Sequence, residues 1–155
     1  MISVLLSVYN GDRWLAECIE SILNQSFKDF EFLIIDDGSK DKSLSIIKKF
    51  AKKDPRIIYF SHANIGLTAS LNKGLLVAKG EWVARIDSDD FACKERLEKQ
   101  IIYAKKYKLA LVGCQSYSIN SEGKIENFLS IPNDHNKLCS NLKRQKIMFK
   151  HSSVL

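Results

Sequence analysis

The stretch ISVLLSV at residues 2–8, taken together with EFLIIDDGS at residues 31–39, decides the fold. The first run is too hydrophobic to face solvent on either side, and the second is a similar apolar run that ends in aspartates. Between them, apolar residues recur at helical spacing from Asp12 to Gln25. The sequence therefore predicts a β-α-β unit, in which an amphipathic helix connects two buried strands.

The alternation of apolar runs with amphipathic helical patterns continues along the first 114 residues. Helices are predicted over residues 42–53, 68–78 and 94–107, and further strands over residues 56–60, 81–87 and 109–114. Such alternation is typical of a parallel sheet. We therefore expect an α/β fold with a mostly parallel, Rossmann-like sheet and helices on both of its faces.

The pattern changes after Cys114 and predicts a mixed C-terminal part. Two short β-like segments, QSYSIN and KIENFLS, flank the turn residues 121–123 and predict a hairpin. A polar helix is predicted over residues 134–145 and a last strand over residues 147–155. No repeat or flexible linker interrupts the chain, so we expect residues 1–155 to form a single domain.

Length and composition exclude several classes of protein. The 155 residues suffice for one domain with a real hydrophobic core, and 45% apolar with 27% charged residues excludes a disordered chain. No apolar run approaches the roughly 18 residues that cross a bilayer, and the first residues lack the pattern of a secretory signal. The four cysteines form no C-x-x-C pair, so we expect a cytoplasmic protein without a zinc site or a disulfide framework.

The formal net charge of +6 arises in the C-terminal part of the chain. Residues 1–90 carry 12 Lys and Arg against 13 Asp and Glu, whereas residues 91–155 carry 12 against 5. The basic residues lack the interleaved aromatic residues and the motifs of nucleic-acid-binding proteins, so no nucleic-acid partner is predicted. Solvated helix faces account for most of the excess, and peripheral contact with an anionic membrane surface or substrate is a second interpretation.

Acidic residues follow two of the predicted strands. Asp36 and Asp37 follow the second strand, and Asp87, Asp89 and Asp90 follow the fourth. Because ligands of open parallel sheets bind outside the carboxyl ends of the strands, we expect these carboxylates to gather at two adjacent strand ends. Like charges at close range repel, and a hard divalent cation would compensate them. The sequence therefore predicts a Mg²⁺ or Mn²⁺ site.

Other interpretations of these acidic residues remain open. A D-x-D taken alone also occurs in turns and at helix N-termini, and Asp90 is placed to cap the helix that follows. The chain has no G-x-G-x-x-G after a strand and no P-loop, so a nucleotide would be held by metal and carboxylates. It also has no G-x-S-x-G elbow, and its three histidines show no metal spacing, which disfavours a hydrolase and a zinc enzyme.

A set of motifs in this chain resembles those of family 2 glycosyltransferases with the GT-A fold. In chain order they are SVLLSVYN at residues 3–10, SILNQS at 21–26, FLIIDDGS at 32–39, NIGL at 64–67, LNKG at 71–74, AKGEW at 78–82, IDSDD at 86–90 and HSSV at 151–154. The resemblance covers essentially the whole chain. It implies a nucleotide-binding half at residues 1–114 and the start of an incomplete acceptor-side half at residues 115–155.

The resemblance also implies roles for individual residues. Asp37 would accept a hydrogen bond from the uracil N–H, and Asp87 would approach the ribose. Asp89 would bind the Mn²⁺ or Mg²⁺ that bridges the diphosphate. The residues implied in nucleotide binding are Ser7, Tyr9, Asp37, Asn64, Asp87 and Ser88.

The implied reaction is an inverting transfer of a sugar from a nucleotide-diphosphate sugar, expected to be a UDP-sugar, to a glycan or lipid-linked acceptor. A carboxylate would deprotonate the acceptor hydroxyl, which attacks from the face opposite the leaving diphosphate. The resemblance places this reaction in cell-surface polysaccharide synthesis, in the cytoplasm or at the inner face of the membrane. The sequence does not indicate the oligomeric state.

Two features depart from the family pattern. Leu71 precedes Asn72 where many family members have arginine, so one phosphate or base contact is absent. In the family, the acidic residue proposed as catalytic base lies downstream of the stretch matched by residues 151–154. We therefore expect the base beyond Leu155 and a truncated chain.

The expected position of the base leaves an alternative function. A non-catalytic nucleotide-sugar-binding module would share every feature described above. Within the chain, Asp134 is the best substitute for the base, ahead of His151, which is expected to be structural. A nucleotidyltransferase is disfavoured, because no Gly-rich phosphate loop follows the first strand.

Overall fold

The computed structural model describes residues 1–129 and 151–155, together with residues 134, 136 and 140. Its elements are, in chain order, β1 (Ile2–Val8), α1 (Asp12–Leu23), β2 (Phe30–Asp36), α2 (Ser43–Ala51), β3 (Ile57–Ser61), α3 (Leu67–Val77), β4 (Trp82–Arg85), α4 (Arg96–Tyr107), β5 (Ser116–Ile119), β6 (Ile125–Leu129) and a 3₁₀ helix at His151–Ser153. The first four strands form a parallel sheet in the order β3-β2-β1-β4, which confirms the predicted parallel α/β fold.

The central strands β1 and β2 are buried along their whole length. Alternate residues of a strand point to opposite faces of the sheet. Val4 belongs to a core that includes residues of α1, α2 and α4. On the other face, Leu5, Leu33 and Ile35 form a smaller core against which Leu71 of α3 packs. Helices therefore cover both faces, as predicted.

The strand order creates a switch point between β1 and β4. The chain runs outward from β1 through β2 to β3, and then returns to pair β4 with the opposite edge of β1. In open parallel sheets, a crevice forms at the carboxyl ends of the strands on either side of such a point. The loops that follow β1 and β4 are therefore positioned to bind a ligand.

Buried polar groups fix the turn between α3 and β4 to the central strands. The Ser3 hydroxyl and the Lys79 N–H both donate to Glu31 Oε1, each at 2.6 Å. The Gly80 N–H donates to Ser3 Oγ at 2.8 Å. Ser3 and Glu31 are buried, so these bonds form away from solvent. They hold the start of β4 against β1.

The strand predicted over residues 109–114 is wrong, and so is the strand predicted over residues 147–155 where the structure describes it. Residues 109–114 form no strand; Val112 instead exchanges two backbone hydrogen bonds of 2.9 Å with Leu155. Among the described residues, the backbone hydrogen bonds between this run and the last residues are those of this one pair, which is too short for a strand ladder. The predicted last strand over residues 147–155 contains a 3₁₀ helix at His151–Ser153, and residues 147–150 lie outside the described residues.

The predicted hairpin is confirmed as the antiparallel pair β5 and β6. Asn120 Oδ1 accepts the backbone N–H groups of Glu122 at 2.9 Å and Lys124 at 3.0 Å, and Gly123 has a positive φ of 78°. Most of the predicted helix over residues 134–145 lies outside the described residues. In the part of the chain that the structure describes, no helix has the length and apolar character to span a membrane.

Candidate functional site

The loops that follow β1 and β2 are joined by hydrogen bonds. The Asn10 N–H donates to Ser39 Oγ at 3.0 Å, and the Lys40 N–H donates to Asn10 Oδ1 at 2.8 Å. The Gly11 N–H donates to Ser43 Oγ, at the first residue of α2, at 3.0 Å. Asn10 has a positive φ of 53°, a conformation that asparagine adopts more readily than most residues. Side chains of the second loop therefore hold the first loop in place.

The loop after β4 approaches the loop after β1 closely. A Cβ at Gly11 would lie 2.8 Å from Val8 Cγ2 and 3.0 Å from Ser88 Oγ. A side chain at residue 11 would therefore push the two loops apart. Their contact at Gly11 brings the residues after both strands together at the switch point.

Asp36 joins the ends of β2 and β3. Its carboxylate is buried and accepts the Ser39 N–H at 3.2 Å and the Ser61 hydroxyl at 2.8 Å. Each oxygen thus has a protein donor, and a neighbouring cation is not needed to compensate the carboxylate. Asp36 therefore has a structural position at this edge of the sheet.

Asp37 holds the N-terminus of α3. Its Oδ1 accepts the Ile65 N–H at 2.8 Å, and its Oδ2 accepts the Gly66 N–H at 3.0 Å. Gly66 is the N-cap residue of α3, so the carboxylate lies at the positive end of the helix dipole. His62 Nδ1 lies 3.5 Å from Oδ1. With only 2% of its surface exposed, Asp37 fixes the loop that carries Asn64.

The surroundings of Asp37 lower the pKa of its carboxyl group. Burial by itself raises the pKa, but the Ile65 N–H, the Ser70 hydroxyl and the Gly66 N–H lower it by more in sum. The charge of a protonated His62 lowers it further. The carboxylate is therefore ionised at neutral pH despite its burial.

We expect Asp37→Asn to destabilise the fold at neutral pH and to reduce its acid sensitivity. A folded-state pKa below the unfolded value of about 3.9 stabilises the fold above that pH, and this stabilisation is lost as the pH falls through the folded-state pKa. Urea unfolding should show a loss of about 1–3 kcal/mol at pH 7. The free energies of unfolding of variant and wild type should converge as the pH falls through the folded-state pKa of Asp37.

The control for this substitution is Glu17→Gln, which neutralises an exposed carboxylate of α1. We expect it to change the free energy of unfolding by less than about 0.5 kcal/mol at pH 7. A difference between Asp37→Asn and wild type that stays constant across the pH range would show that the charge of Asp37 does not stabilise the loop.

The acidic residues after β4 differ in their surroundings. Asp87 accepts two hydrogen bonds from the Arg85 guanidinium, from Nη1 at 3.1 Å and from Nη2 at 2.5 Å. Asp89 and Asp90 are exposed. Within the described residues, no hydrogen bond or ion pair holds the Asp89 carboxylate. The prediction that Asp90 caps α4 is wrong, because the N-cap residue of that helix is Glu95.

The predicted gathering of carboxylates at two adjacent strand ends is also wrong. β1 lies between β2 and β4 in the sheet, so it separates Asp36 and Asp37 from the acidic residues after β4. Among the residues that the structure describes, no group of three or more His, Cys, Asp or Glu side chains could hold a metal ion. The donors that are present fit a sparse site, in which Asp89 supplies one oxygen and water and phosphate supply the others.

Ser7 lies in β1 beside the candidate site. It is buried, with 7% of its surface exposed. The parallel register pairs Leu5 of β1 with Arg85 of β4, and the Ile86 N–H donates to the Leu5 oxygen, so Asp87 leaves β4 at the end of the strand pair where Ser7 lies. The structure therefore places Ser7, Asp87 and Ser88 at the same end of the same strand pair.

Tyr9 and Asn64 are the exposed members of the predicted nucleotide-binding set. Tyr9 follows β1 and has 49% of its surface exposed, and Asn64 is exposed in the loop after β3. A Cβ at Gly38, whose φ is 79°, would lie 2.7 Å from the Asn64 backbone nitrogen. The turn after β2 thus packs closely against the loop of Asn64.

Sequence reasoning missed two arginines near the site. Arg85 binds Asp87, and Arg96 Nη2 donates to the backbone oxygens of Arg85 at 2.7 Å and of Val154 at 3.3 Å. The spacing of Arg85 and Asp87 could have predicted the contact between their side chains, because residues two apart on a strand share a face. The position of Arg96 had no such signal, since it depends on the packing of α4 and of the last residues.

A cavity of about 380 Å³ lies away from the candidate site, at the amino end of β4. It contains none of the predicted site residues. The residues that line the cavity are Glu81, Trp82, Val83, Ala110, Leu111, Val154 and Leu155.

Comparison with protein families identifies the class of the chain. The model described as Glycosyl transferase family 2 matches residues 3–154. The chain belongs to glycosyl transferase family 2. The resemblance inferred from the motifs is therefore confirmed, and the match includes every loop of the crevice.

Curated relatives of this glycosyl transferase family 2 chain are named as glycosyltransferases. An uncharacterized glycosyltransferase from Haemophilus influenzae is 40% identical over 112 residues, which are 72% of this chain and 45% of that protein. One from Methanocaldococcus jannaschii is 40% identical over 129 residues, 81% of this chain and 44% of that protein. Glycosyltransferase GlyA of Streptococcus pneumoniae is 37% identical over 123 residues, 79% of this chain and 18% of that protein. The chain thus spans less than half the length of these relatives.

Solved structures of glycosyltransferases share the fold of this family member. The crystal structure of S. aureus TarS in complex with UDP has a TM-score of 0.72 and 27% identity, over 81% of this chain and 38% of that chain. The mannosyltransferase PcManGT from Pyrobaculum calidifontis, in complex with GDP-Man and Mn²⁺, has a TM-score of 0.68 and 22% identity, over 73% of this chain and 34% of that chain. The second likeness concerns the fold alone. The predicted GT-A fold is confirmed.

Proposed function

We propose that this chain binds a nucleotide-diphosphate sugar at the carboxyl ends of β1 and β4, as the donor-binding part of a sugar-transferring enzyme. One observation carries the proposal: Asp87 is held by Arg85, whereas Asp89 is exposed and unpartnered among the described residues. A fixed carboxylate suits recognition of ribose hydroxyls, and an open carboxylate suits a hard cation. Both lie at the switch point, where ligands of such sheets bind.

The nucleoside would be held by the loops after β1 and β2. Tyr9 is half exposed and offers an aromatic face to the base. Asp37 accepts hydrogen bonds from the Ile65 N–H, the Gly66 N–H and the Ser70 hydroxyl, which leaves one of the roughly four lone-pair sites of the carboxylate for the uracil N–H. Its lowered pKa keeps it in the accepting form. Further polar groups at this edge are supplied by Ser7, Asn64 and Ser88.

A divalent cation, Mn²⁺ or Mg²⁺, would be held by Asp89. These ions are commonly bound by one or two carboxylates together with water and substrate phosphates. When bound, such an ion stabilises the charge that develops on the departing diphosphate. Structures of TarS with UDP and UDP-GlcNAc, and of PcManGT with GDP-Man and Mn²⁺, support this choice of ligands.

The proposed transfer is inverting, with a hydroxyl of a glycan or lipid-linked acceptor as the nucleophile. In such a transfer a carboxylate removes the hydroxyl proton on the face opposite the diphosphate. In this proposal Asp87 and Asp89 are committed to the nucleotide and the cation, so the base stays unassigned. The cytoplasmic location and a peripheral contact with the membrane stay predictions.

Calorimetric titration with UDP, GDP and pyrophosphate, each in Mn²⁺ and in EDTA, tests this proposal. We expect UDP to bind in Mn²⁺ and EDTA to weaken its binding at least about tenfold, because the cation carries the diphosphate contact. Failure of both nucleotides to bind in Mn²⁺, or equal UDP affinity in EDTA, would contradict the proposal.

A further inference from the structure

The side chain of Arg85 connects the sheet to the candidate site. Arg85 is the last residue of β4, and its side chain is 11% exposed. Its guanidinium donates through Nη1 to Asp87 Oδ2 at 3.1 Å and through Nη2 to Asp87 Oδ1 at 2.5 Å. This bidentate, charge-assisted arrangement constrains both the position and the rotation of a carboxylate.

The backbone of Arg85 is itself held on both sides. Its N–H donates to the Val154 oxygen at 3.1 Å, and its oxygen accepts from Arg96 Nη2 at 2.7 Å. Arg96 also donates to Gln100 Oε1 at 3.1 Å, and Gln100 Nε2 donates to the Ser153 oxygen at 2.8 Å. These bonds tie β4, α4 and the last residues together behind the site. The position of Arg85 therefore determines the position of Asp87.

The ion pair is oriented towards the crevice. The Asp87 side chain is 29% exposed, whereas that of Arg85 is 11% exposed, so the carboxylate lies nearer to solvent than the cation that holds it. The guanidinium neutralises Asp87 and reduces its attraction for a metal ion. Asp89 has no such cation among its described neighbours. The two carboxylates are therefore suited to different partners.

We propose that Arg85 is a positioning residue of the nucleotide site, which orients Asp87 to accept hydrogen bonds from the sugar hydroxyls of a nucleoside diphosphate. This inference rests on the proposed function of the site. Arg85 acts through Asp87 and contacts neither the cation nor the diphosphate. Its loss therefore affects the binding of the nucleoside and leaves the binding of a bare diphosphate unchanged.

A double-mutant cycle with Arg85→Gln, Asp87→Asn and the double variant tests the inference, with UDP and pyrophosphate titrated in saturating Mn²⁺. We expect each single variant to weaken UDP binding about tenfold and to keep pyrophosphate binding within about twofold of wild type. The double variant should bind UDP about as well as either single variant, because both substitutions remove the same interaction. Arg85→Lys keeps the positive charge but loses the bidentate geometry of the guanidinium, so it should retain part of the affinity for UDP that Arg85→Gln loses.

The outcomes separate this inference from the proposed function. Additive losses in the double variant, or equal losses for UDP and pyrophosphate, would overturn the role of Arg85 while the proposed function stands. Thermal unfolding identifies variants that fail to fold. If Arg85→Gln fails to fold, Arg85→Lys replaces it in the double-mutant cycle. A wild-type chain that binds no UDP in Mn²⁺ would overturn the proposed function and this inference together.

Discussion

Replacing Asp89 with alanine is expected to weaken Mn²⁺-dependent binding of UDP by at least about 10- to 100-fold, because loss of an outer-shell partner of a metal ligand already costs that much. Asp89 is exposed, and no hydrogen bond or ion pair holds its carboxylate among the described residues, so the fold does not depend on it. The free energy of unfolding should stay within about 0.5 kcal/mol of wild type. Titration of UDP in Mn²⁺ and in EDTA measures the effect.

The matched control for this prediction is Asp90→Ala. Asp90 is the exposed neighbour of Asp89, so its substitution removes the same charge from almost the same place. Coordination requires a particular carboxylate, whereas a general electrostatic effect depends only on the charge nearby. We therefore expect Asp90→Ala to weaken UDP binding much less than Asp89→Ala. Equal losses for the two variants would contradict the assignment of the cation to Asp89.

The Gly80→Ala substitution is expected to reduce the free energy of unfolding by about 3 kcal/mol, at the upper end of the usual cost of overpacking. A Cβ at this position would overlap the Ser3 backbone nitrogen and would lie 2.7 Å from Ser3 Oγ and 2.8 Å from the Ile2 carbonyl carbon. Ser3 is the second residue of the buried strand β1 and is paired with both β2 and β4, so its backbone cannot move away. The variant must therefore move the turn and break the bond from the Gly80 N–H to Ser3 Oγ.

Urea unfolding of Gly80→Ala beside Lys79→Ala measures this effect. Lys79 is exposed, and its bond to Glu31 comes from the backbone, so its truncation should change stability by less than about 0.5 kcal/mol. If Gly80→Ala stayed within about 1 kcal/mol of wild type, the close approach of the turn to β1 would be wrong.

The parallel sheet and its helices could be predicted because their cause lies in local patterns. β1 and β2 are buried on both faces and therefore appear in the sequence as continuous apolar runs. The apolar run at residues 109–114 resembles a strand equally well, but strand formation also requires a partner of sufficient length. Among the described residues, the backbone of Val112 pairs with that of Leu155, more than 40 residues further along the chain. Local patterns carry no information about such a contact.

The places of the candidate residues in the sheet could be predicted, but their partners could not. The rule for strand ends placed Asp37 after β2 and Asp87 and Asp89 after β4, where the structure has them. It did not reveal that backbone N–H groups from a later loop hold Asp37, or that Arg85 neutralises Asp87. These partners depend on the tertiary structure. The sequence predicted a repulsive cluster of five carboxylates, but the structure has three that are compensated by protein groups and two, Asp89 and Asp90, that are exposed.

The most direct test of the central claim is a map of the residues that lie near bound Mn²⁺ and UDP. A paramagnetic ion broadens the amide resonances of nearby residues far more than those of distant ones. In the ¹⁵N-labelled chain with UDP, we expect Mn²⁺ to broaden Gly11, Ser88 and Asp90 strongly, and Mg²⁺ in excess to reverse the effect. Asp29 and Glu81 lie at the amino ends of β2 and β4. Their amide resonances should be broadened less than those of Gly11, Ser88 and Asp90. Broadening centred on Asp29 and Glu81, or no saturable broadening in the presence of UDP, would contradict a nucleotide and metal site at the carboxyl ends of β1 and β4.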